Sequence, residues 1–239
     1  MMKIRGFIEG FYNRKPKKND YGFENSNITH YIYAPKEDSY IRQKWRLKDK
    51  SLEARSIPKN IAQVYTLSPG ADFNRKSNKD FNFLLSKFNF AIDKGFSEVG
   101  LLFDDIDINN IGIESDDKDL GKFHGELISE VTTKLGLSNG WFCPSIYCES
   151  FSKKGIQNDK YLEGVSETIN NDLFFLWTGP KVISDFISQD HLKKLGQVIK
   201  NPVVIWDNFY ANDYCPTRLF LGDITGRDFF RGKPYGHVI

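Results

Sequence analysis

The chain has 239 residues, of which 40% are hydrophobic, and this is enough apolar side chain to bury a sizeable core. Its 33 Lys and Arg residues nearly balance its 31 Asp and Glu residues, so charge gives no reason to expect nucleic acid or an anionic membrane surface as a partner. No apolar run approaches the roughly 18 residues of a membrane span, and the N-terminal segment MMKIRGFIEGFY has no stretch long enough for a signal peptide.

The cysteines and histidines indicate neither a disulfide framework nor a metal centre. Cys143, Cys148 and Cys215 form an odd set, and the four histidines are scattered along the chain. Reduced, partly buried thiols are the default in a reducing compartment. We therefore expect a cytoplasmic protein that holds no metal ion or cofactor.

Short apolar runs, each followed by a polar turn, predict buried strands. They lie at residues 4–8, 31–34, 61–67, 98–103, 141–147, 173–177 and 203–206. Apolar residues at three- and four-residue steps predict helices at 80–94, 120–135 and 189–199. Alternating strands and helices favour a parallel (β/α)-barrel, and the length is close to the roughly 250 residues of one such barrel. We expect a single barrel domain over residues 1–239.

The first two connections of this predicted barrel are poor in helical pattern. Residues 13–29 are too polar and too rich in Gly and Asn for a barrel helix, and the segment before the third strand is short and contains Pro58. The sequence therefore predicts reduced first helices.

Polar and aromatic side chains follow each apolar run. In a barrel these positions meet at the carboxyl ends of the strands, where active sites lie. Acids, amides, a lysine and aromatic rings together are the lining expected of a carbohydrate site. The residues concerned include Gly10, Lys36, Asp72, Asp104, Asp105, Tyr147, Trp177, Trp206, Asp207, Asn208, Asp213 and Tyr214.

Each of these residues also has an ordinary structural interpretation. An aspartate after a strand is often a turn or helix cap, and we favour that role for Asp72, Asp107 and Asp207 taken singly. A lone tryptophan such as Trp177 is more often a core residue, and a lone lysine such as Lys36 more often pairs with a nearby acid. The functional interpretation depends on their coincidence at one end of successive strands.

The adjacent pair Asp104 and Asp105, directly after the apolar run VGLLF, is the strongest local feature. Neighbours in a strand point to opposite faces, so both can face a cleft only if the strand ends and bends there. If they share a site, repulsion should raise the pKa of one carboxyl, which then serves as an acid beside an ionised partner. A Mg²⁺ site is the rival interpretation, ranked lower because no Gly-rich phosphate loop accompanies the pair.

Nine segments, in order, resemble the catalytic domain of family 84 glycoside hydrolases, the O-GlcNAcase and bacterial β-N-acetylglucosaminidase group. FDDID, CP-x-x-YC and the ANDY…RLFLG stretch look closest to the nucleocytoplasmic O-GlcNAcases. The segments are GFIEGFY (6–12), YIYAPKED (31–38), WR (45–46), LSPGADF (67–73), LLFDDID (101–107), FCPSIYC (142–148), LWTGPKV (176–182), VIWDNFYANDY (204–214) and RLFLG (218–222).

The resemblance implies a retaining β-N-acetylglucosaminidase on a (β/α)8 barrel, acting on a GlcNAc-bearing glycoconjugate or glycoprotein. The substrate's own acetamido oxygen would attack the anomeric carbon and form an oxazoline. Asp104 would orient and polarise the acetamido N–H, and Asp105 would be the general acid and then the general base. The implied sugar-binding residues are Gly10, Lys36, Tyr147, Val182, Trp206, Asn208, Asp213 and Tyr214.

The chain departs from the family at its C-terminal end, GRDFFRGKPYGHVI. The family's eighth strand and helix have no full counterpart there, and residues 235–239 are expected to supply at most a stub of strand. We therefore expect an incomplete barrel with an exposed edge, which a homodimer or a partner chain would cover. Such a barrel also admits an alternative function, a catalytically degenerate module that binds GlcNAc or another protein. A third hypothesis is an enzyme for another N-acetylhexosaminide, such as a GalNAc-containing one.

Overall fold

The protein folds as a closed barrel of eight parallel strands that follow one another in chain order. The computed structural model describes residues 3–10, 23, 26–54, 56–105, 118–211, 217, 220, 222–228 and 234–239. The predicted barrel architecture is confirmed. The strands are β1 (Ile4–Glu9), β2 (His30–Tyr33), β3 (Ala62–Leu67), β4 (Glu98–Leu102), β5 (Trp141–Cys143), β6 (Phe174–Trp177), β7 (Val203–Trp206) and β8 (Gly236–Val238).

The apolar runs locate seven of these strands to within a few residues. The largest difference is at β5, where the run over 141–147 becomes the three-residue strand Trp141–Cys143. Pro144 follows the strand directly, and proline has no amide hydrogen to donate to a neighbouring strand. The rest of the run is thereby released into the loop that carries Tyr147.

Four helices pack outside the barrel in the described part of the chain. They are α1 (Asn78–Asp93), α2 (Lys118–Lys134), α3 (Lys160–Thr168) and α4 (Gln189–Val198), of which α3 was not predicted. The Asp159 side chain caps α3 by accepting a hydrogen bond from the Leu162 amide at 3.0 Å. None of the helices in these ranges combines the length and the apolar character needed to cross a bilayer.

The connection between β2 and β3 contains no helix in residues 34–54 or 56–61, in agreement with the predicted reduction. Side chains anchor it instead. The buried ammonium of Lys87 on α1 donates to the carbonyl of Tyr40, at 3.1 Å, and to that of Leu47. Arg46 donates to the Asp80 carboxylate on the same helix. Most of the connection between β1 and β2 lies outside the described residues.

The barrel closes through β8, so the predicted open edge is wrong. This strand of three residues pairs with β7 on one side and with β1 on the other. The Asp207 amide donates to the Val238 carbonyl, and the Lys3 amide donates to the Tyr235 carbonyl, at 2.8 Å and 2.9 Å. Since both neighbouring strands find their partner within the chain, the barrel offers no unpaired edge there for a homodimer or partner to cover.

The apolar core has two layers. One fills the barrel interior and includes Val64, Leu102, Trp141, Leu176 and Val204. The other lies between the strands and the outer helices and includes Tyr65, Leu101, Phe142, Phe175 and Ile205. Successive strand residues alternate between these layers, as the strand period requires. The interior layer ends, at the carboxyl ends of the strands, beneath the polar residues described next.

Candidate active site

Asp104 and Asp105 follow the end of β4, and the backbone bends there. The strand stops at Leu102, and Asp105 has φ of 52°, a left-handed conformation that no other non-glycine residue adopts in the described part of the chain. Both carboxylates contact the ammonium of Lys36, Asp104 through Oδ2 at 3.2 Å and Asp105 also through Oδ2. The predicted bend is confirmed, and it brings both acids to one cation.

Asp104 is buried and only half partnered. Its Oδ2 faces Lys36, whereas its Oδ1 is buried and has no hydrogen-bond partner among the described residues. Leaving a buried acceptor unsatisfied costs roughly 1–3 kcal/mol. Such an atom is suited to accept a hydrogen bond from a ligand N–H or O–H that enters the barrel mouth.

Asp105 is more exposed and fully engaged. Its Oδ1 accepts a hydrogen bond from the Tyr147 hydroxyl at 2.9 Å, and its Oδ2 accepts one from Lys36. Partial burial raises the pKa of Asp105, but the hydrogen bonds from Lys36 and Tyr147 and the Lys36 charge outweigh it, so the pKa lies below its ordinary value. The expectation that repulsion raises a pKa in this pair is therefore wrong for Asp105, because Lys36 stands between the carboxylates.

Lys36 follows β2 and joins the two acids. Burial lowers the pKa of Lys36, but the charge of Asp104 and the hydrogen bond and charge of Asp105 outweigh it, so the net pKa is raised. The ammonium is therefore charged at neutral pH. Its side chain is 43% exposed, so it reaches the acids from the open side of the barrel.

Tyr147 stands on the loop released by the early end of β5. The residue is buried, and its ring meets the ring of Phe151 edge-on, with centroids 5.0 Å apart. Burial, together with the nearby charge of Asp105, raises the pKa of Tyr147 well above its ordinary value. The residue thus remains a neutral phenol whose hydroxyl donates to Asp105.

The loops after β6 and β7 are joined next to this site. The Asn208 side-chain amide donates to the Val182 carbonyl at 2.9 Å. Val182 and Trp206 are half-buried and pack against the barrel-interior apolar layer. Gly10, after β1, is exposed, and no atom of the described residues lies within 4 Å of the position that a Cβ would take there. The predicted residues Asp213 and Tyr214 lie outside the described residues.

Asp207 has the structural role that we favoured. It is buried, both oxygens accept hydrogen bonds from Arg227 at 2.7 and 2.8 Å, and the Oδ2 contacts His237 Nε2 at 2.8 Å. It also caps a short 3₁₀ turn through the Phe209 amide. Burial raises its pKa, but Arg227 and His237 outweigh this and lower the pKa of Asp207 to about 2. Nothing in the sequence marked Arg227 or His237 as its partners.

Asp72 and Trp177 are also structural. Asp72 accepts from the Trp45 indole at 2.7 Å and from Arg46, which holds the connection between β2 and β3 in place. Trp177 is fully buried and donates to His191 at 2.8 Å. Asp107 lies outside the described residues.

A buried group behind the two acids was not predicted. The ring of His124 on α2 stacks on Phe103, the residue before Asp104, at 3.7 Å between centroids. Its Nδ1 contacts the Tyr161 hydroxyl at 2.9 Å, and that hydroxyl accepts from the Ser145 amide at 3.0 Å. Burial lowers the pKa of His124 well below its ordinary value, so the ring is neutral. These contacts tie the end of β4 and the loop after β5 to the outer helices.

A family model described as beta-N-acetylglucosaminidase matches residues 5–230. The chain belongs to the beta-N-acetylglucosaminidase family. All of the predicted site residues fall within the matched span, whereas β8, which closes the barrel, lies beyond it. The family match therefore includes the site residues but not the strand that closes the barrel.

The chain is similar to the Protein O-GlcNAcases of Rattus norvegicus and Mus musculus. Each is 33% identical over an alignment 239 positions long, which covers 93% of this chain and 26% of the relative. The chain thus spans about a quarter of their length. A solved structure of a mutant O-GlcNAc hydrolase from Thermobaculum terrenum superposes with a TM-score of 0.82 at 23% identity, over 99% of this chain and 54% of that one. This likeness concerns the fold.

Proposed function

We propose that the chain is a retaining β-N-acetylglucosaminidase that removes terminal β-linked GlcNAc, including O-GlcNAc on protein Ser or Thr, by substrate-assisted catalysis. The observation that carries the proposal is the buried Oδ1 of Asp104, which no described residue partners, one residue before the half-exposed carboxylate of Asp105. The first fits an acceptor for an N–H inside the barrel, and the second fits a proton carrier at its mouth. Membership of the family supports the class of reaction.

The chemistry follows from these two positions. Asp104 Oδ1 accepts the acetamido N–H and, as a carboxylate, makes the acetamido oxygen more nucleophilic and stabilises the positive charge that develops on nitrogen. That oxygen attacks the anomeric carbon while the glycosidic C–O bond breaks and Asp105 protonates the leaving oxygen. Asp105 then takes a proton from the water that opens the oxazoline. The neighbouring group replaces the nucleophilic carboxylate of other retaining glycosidases.

The remaining residues are proposed to bind the sugar. Gly10 offers its backbone carbonyl and Lys36 its ammonium to hydroxyl groups, and Tyr147 orients Asp105. The acetamide side is proposed to lie against Trp206, Val182 and Asn208, and the O4 and O6 side against Asp213 and Tyr214.

We further propose that residues 1–239 act as one catalytic domain in a reducing, cytoplasmic compartment. The free thiols of Cys143 and Cys148, both buried, support that location.

The alternative function, a catalytically degenerate module that binds GlcNAc or another protein, no longer has an observation in its favour. It arose from the expected open barrel, and the barrel is closed. A binding module also has no need of a proton carrier such as Asp105 beside a buried acceptor.

An aryl-glycoside assay tests the proposed function. We expect turnover of an aryl β-GlcNAc and poor turnover of the matching β-glucoside, which lacks the acetamide. For a poor leaving group, Asp105→Asn should lower kcat/KM by about 10²- to 10⁴-fold, the usual contribution of a general acid. A dinitrophenyl leaving group departs without protonation, and its bond-breaking step is the control that should be spared. Equal turnover of the poor leaving group by wild type and Asp105→Asn would contradict the assignment.

A further inference from the structure

Lys36 and Tyr147 between them engage both oxygens of Asp105. The Tyr147 hydroxyl donates to Oδ1, and the Lys36 ammonium donates to Oδ2. A general acid must present one oxygen, carrying a proton, to the glycosidic oxygen. A carboxyl oxygen that carries a proton keeps a lone pair, but an ammonium held against it favours the ionised form, so Asp105 takes up a proton more readily once a donor withdraws.

Lys36 is the partner that can leave at lower cost. Its side chain is 43% exposed, ends a flexible four-carbon chain and keeps a second carboxylate contact, to Asp104 at 3.2 Å. An ion pair at this exposure contributes little free energy. Tyr147 is buried against Phe151, and its phenol can donate to Asp105 whether or not the carboxyl is protonated.

We propose that Lys36 is a displaceable counter-ion, which keeps Asp105 ionised until the bound sugar draws the ammonium away and lets Asp105 take up the proton that it donates. This rests on the proposed function. The proton comes from solvent, and the displaced ammonium turns to sugar hydroxyls. Lys36 thus acts on proton transfer as a positioning residue, in addition to binding the sugar.

The surroundings of Asp105 favour this uptake once Lys36 has moved. Among the described residues, the titratable and charged groups that act on Asp105 besides Lys36 are Arg42, Asp104, Cys143 and Tyr147. Of these, Arg42 and Tyr147 favour the carboxylate, whereas the adjacent negative charge of Asp104 disfavours it. Burial, which already acts to raise the pKa of Asp105, increases when a sugar covers the barrel mouth. Loss of the Lys36 contacts removes the largest of the influences that lower the pKa of Asp105.

The test is calorimetric titration with a neutral GlcNAc hydroximolactone carbamate in buffers of different ionisation enthalpy. Its exocyclic nitrogen offers a lone pair where the leaving oxygen would lie, so it requires a protonated Asp105. We expect wild-type enzyme to take up about one proton per site at about pH 5, where an ordinary aspartate is mostly ionised. Asp105→Asn should bind without uptake.

Two further variants separate displacement from general charge. On binding the inhibitor at this pH, the Lys36→Gln variant should take up clearly fewer protons than the wild type. The reason is that Asp105 in this variant is already partly protonated before the inhibitor binds. Arg42→Gln, the control, removes a cation that acts on Asp105 by charge alone and should take up nearly as much as the wild type. A Lys36→Gln uptake equal to wild type would overturn the proposal.

Binding by the wild type without proton uptake would also overturn it, and hydrolysis measured on the same sample would show that the proposed function stands. Absence of both binding and hydrolysis would instead contradict the proposed function, and the inference would fall with it.

Discussion

At the scale of single residues, the buried aspartates of the barrel mouth differ in how completely their oxygens are partnered. The Asp207 carboxylate accepts hydrogen bonds from Arg227 and from a backbone amide, and it contacts the His237 ring. Asp104 contacts Lys36 through one oxygen, and its other oxygen has no partner in the part of the chain that the structure describes. Asp207 is buried with both oxygens held by Arg227, so it serves the fold, whereas the open acceptor of Asp104 makes Asp104 the candidate for chemistry.

The buried pair of Asp207 and Arg227 gives a prediction about stability. Asp207→Asn leaves a buried guanidinium without its charge partner, and we expect the free energy of unfolding to fall by about 3–5 kcal/mol at neutral pH. Because the pKa of Asp207 is lowered to about 2, its contribution is present above the unfolded pKa near 4 and is lost as the pH falls through about 2. Urea denaturation over this range should therefore show the difference between wild type and variant shrinking.

Asp72→Asn is the control for that series. Asp72 also contacts an arginine, Arg46, but its side chain is 58% exposed. An exposed ion pair contributes at most about 1 kcal/mol, so this variant should unfold much like the wild type. A difference between wild type and Asp207→Asn that stays constant down to the lowest pH would contradict the assignment.

The sequence predicted which residues form the site better than it predicted their contacts and their ionisation. Adjacent aspartates after an apolar run marked the pair, and the strand period required a bend that Asp105 supplies. The position of Lys36 between the carboxylates was not foreseeable, because it depends on how two strand ends far apart in the chain are placed. The sequence predicted a raised pKa for one carboxyl of the pair, and the contacts of Lys36 instead lower the pKa of Asp105.

At the scale of elements, glycines allow the backbones of α2 and α3 to approach each other closely. A Cβ on Gly121 would lie 2.0 Å from the Tyr161 carbonyl oxygen, and one on Gly164 would lie 2.1 Å from that of Lys118. The two helices are therefore closer than any larger residue would permit. The same Tyr161 holds His124 and the Ser145 amide behind the active site.

We expect Gly121→Ala to push α3 away and to lower the free energy of unfolding by about 1–3 kcal/mol, as overpacking does. Gly196→Ala is the matched control, because Gly196 lies on α4 and no described atom is within 4 Å of the position of a Cβ there. Alanine there should raise stability by up to about 1 kcal/mol through helix propensity. Thermal and urea denaturation measure both variants, and equal effects at the two positions would contradict the close approach of the helices.

Periodicity predicted most elements because they are long or strongly apolar. Helix α3 has nine residues, fewer than any of the helices that were predicted, so its pattern covers too few turns to stand out. Strand β8 has the sequence GHV, which is not an apolar run, and it exists because two neighbouring strands bond to it. Elements defined by their partners are not visible in local sequence.

At the scale of the whole molecule, closure of the barrel determines whether the site is held in place. Glycines at the seam make closure possible, since a Cβ on Gly6 would lie 2.5 Å from Val238 and one on Gly236 would lie 2.5 Å from Ile4. His237 on β8 then reaches Asp207 at the end of β7, next to Trp206 and Asn208. The family motifs predicted the barrel but ended before this strand, so closure emerged only from the pairing.

The central claim is that the substrate's acetamide is the nucleophile and that Asp104 supports it. The most direct measurement is kcat/KM for an aryl β-GlcNAc series in which the N-acetyl group carries zero to three fluorines, since fluorine weakens the acetamido oxygen as a nucleophile while changing its size little. We predict a steep, monotonic fall along the series. A level series, from an enzyme that still requires Asp105, would show that another nucleophile acts and would contradict the account.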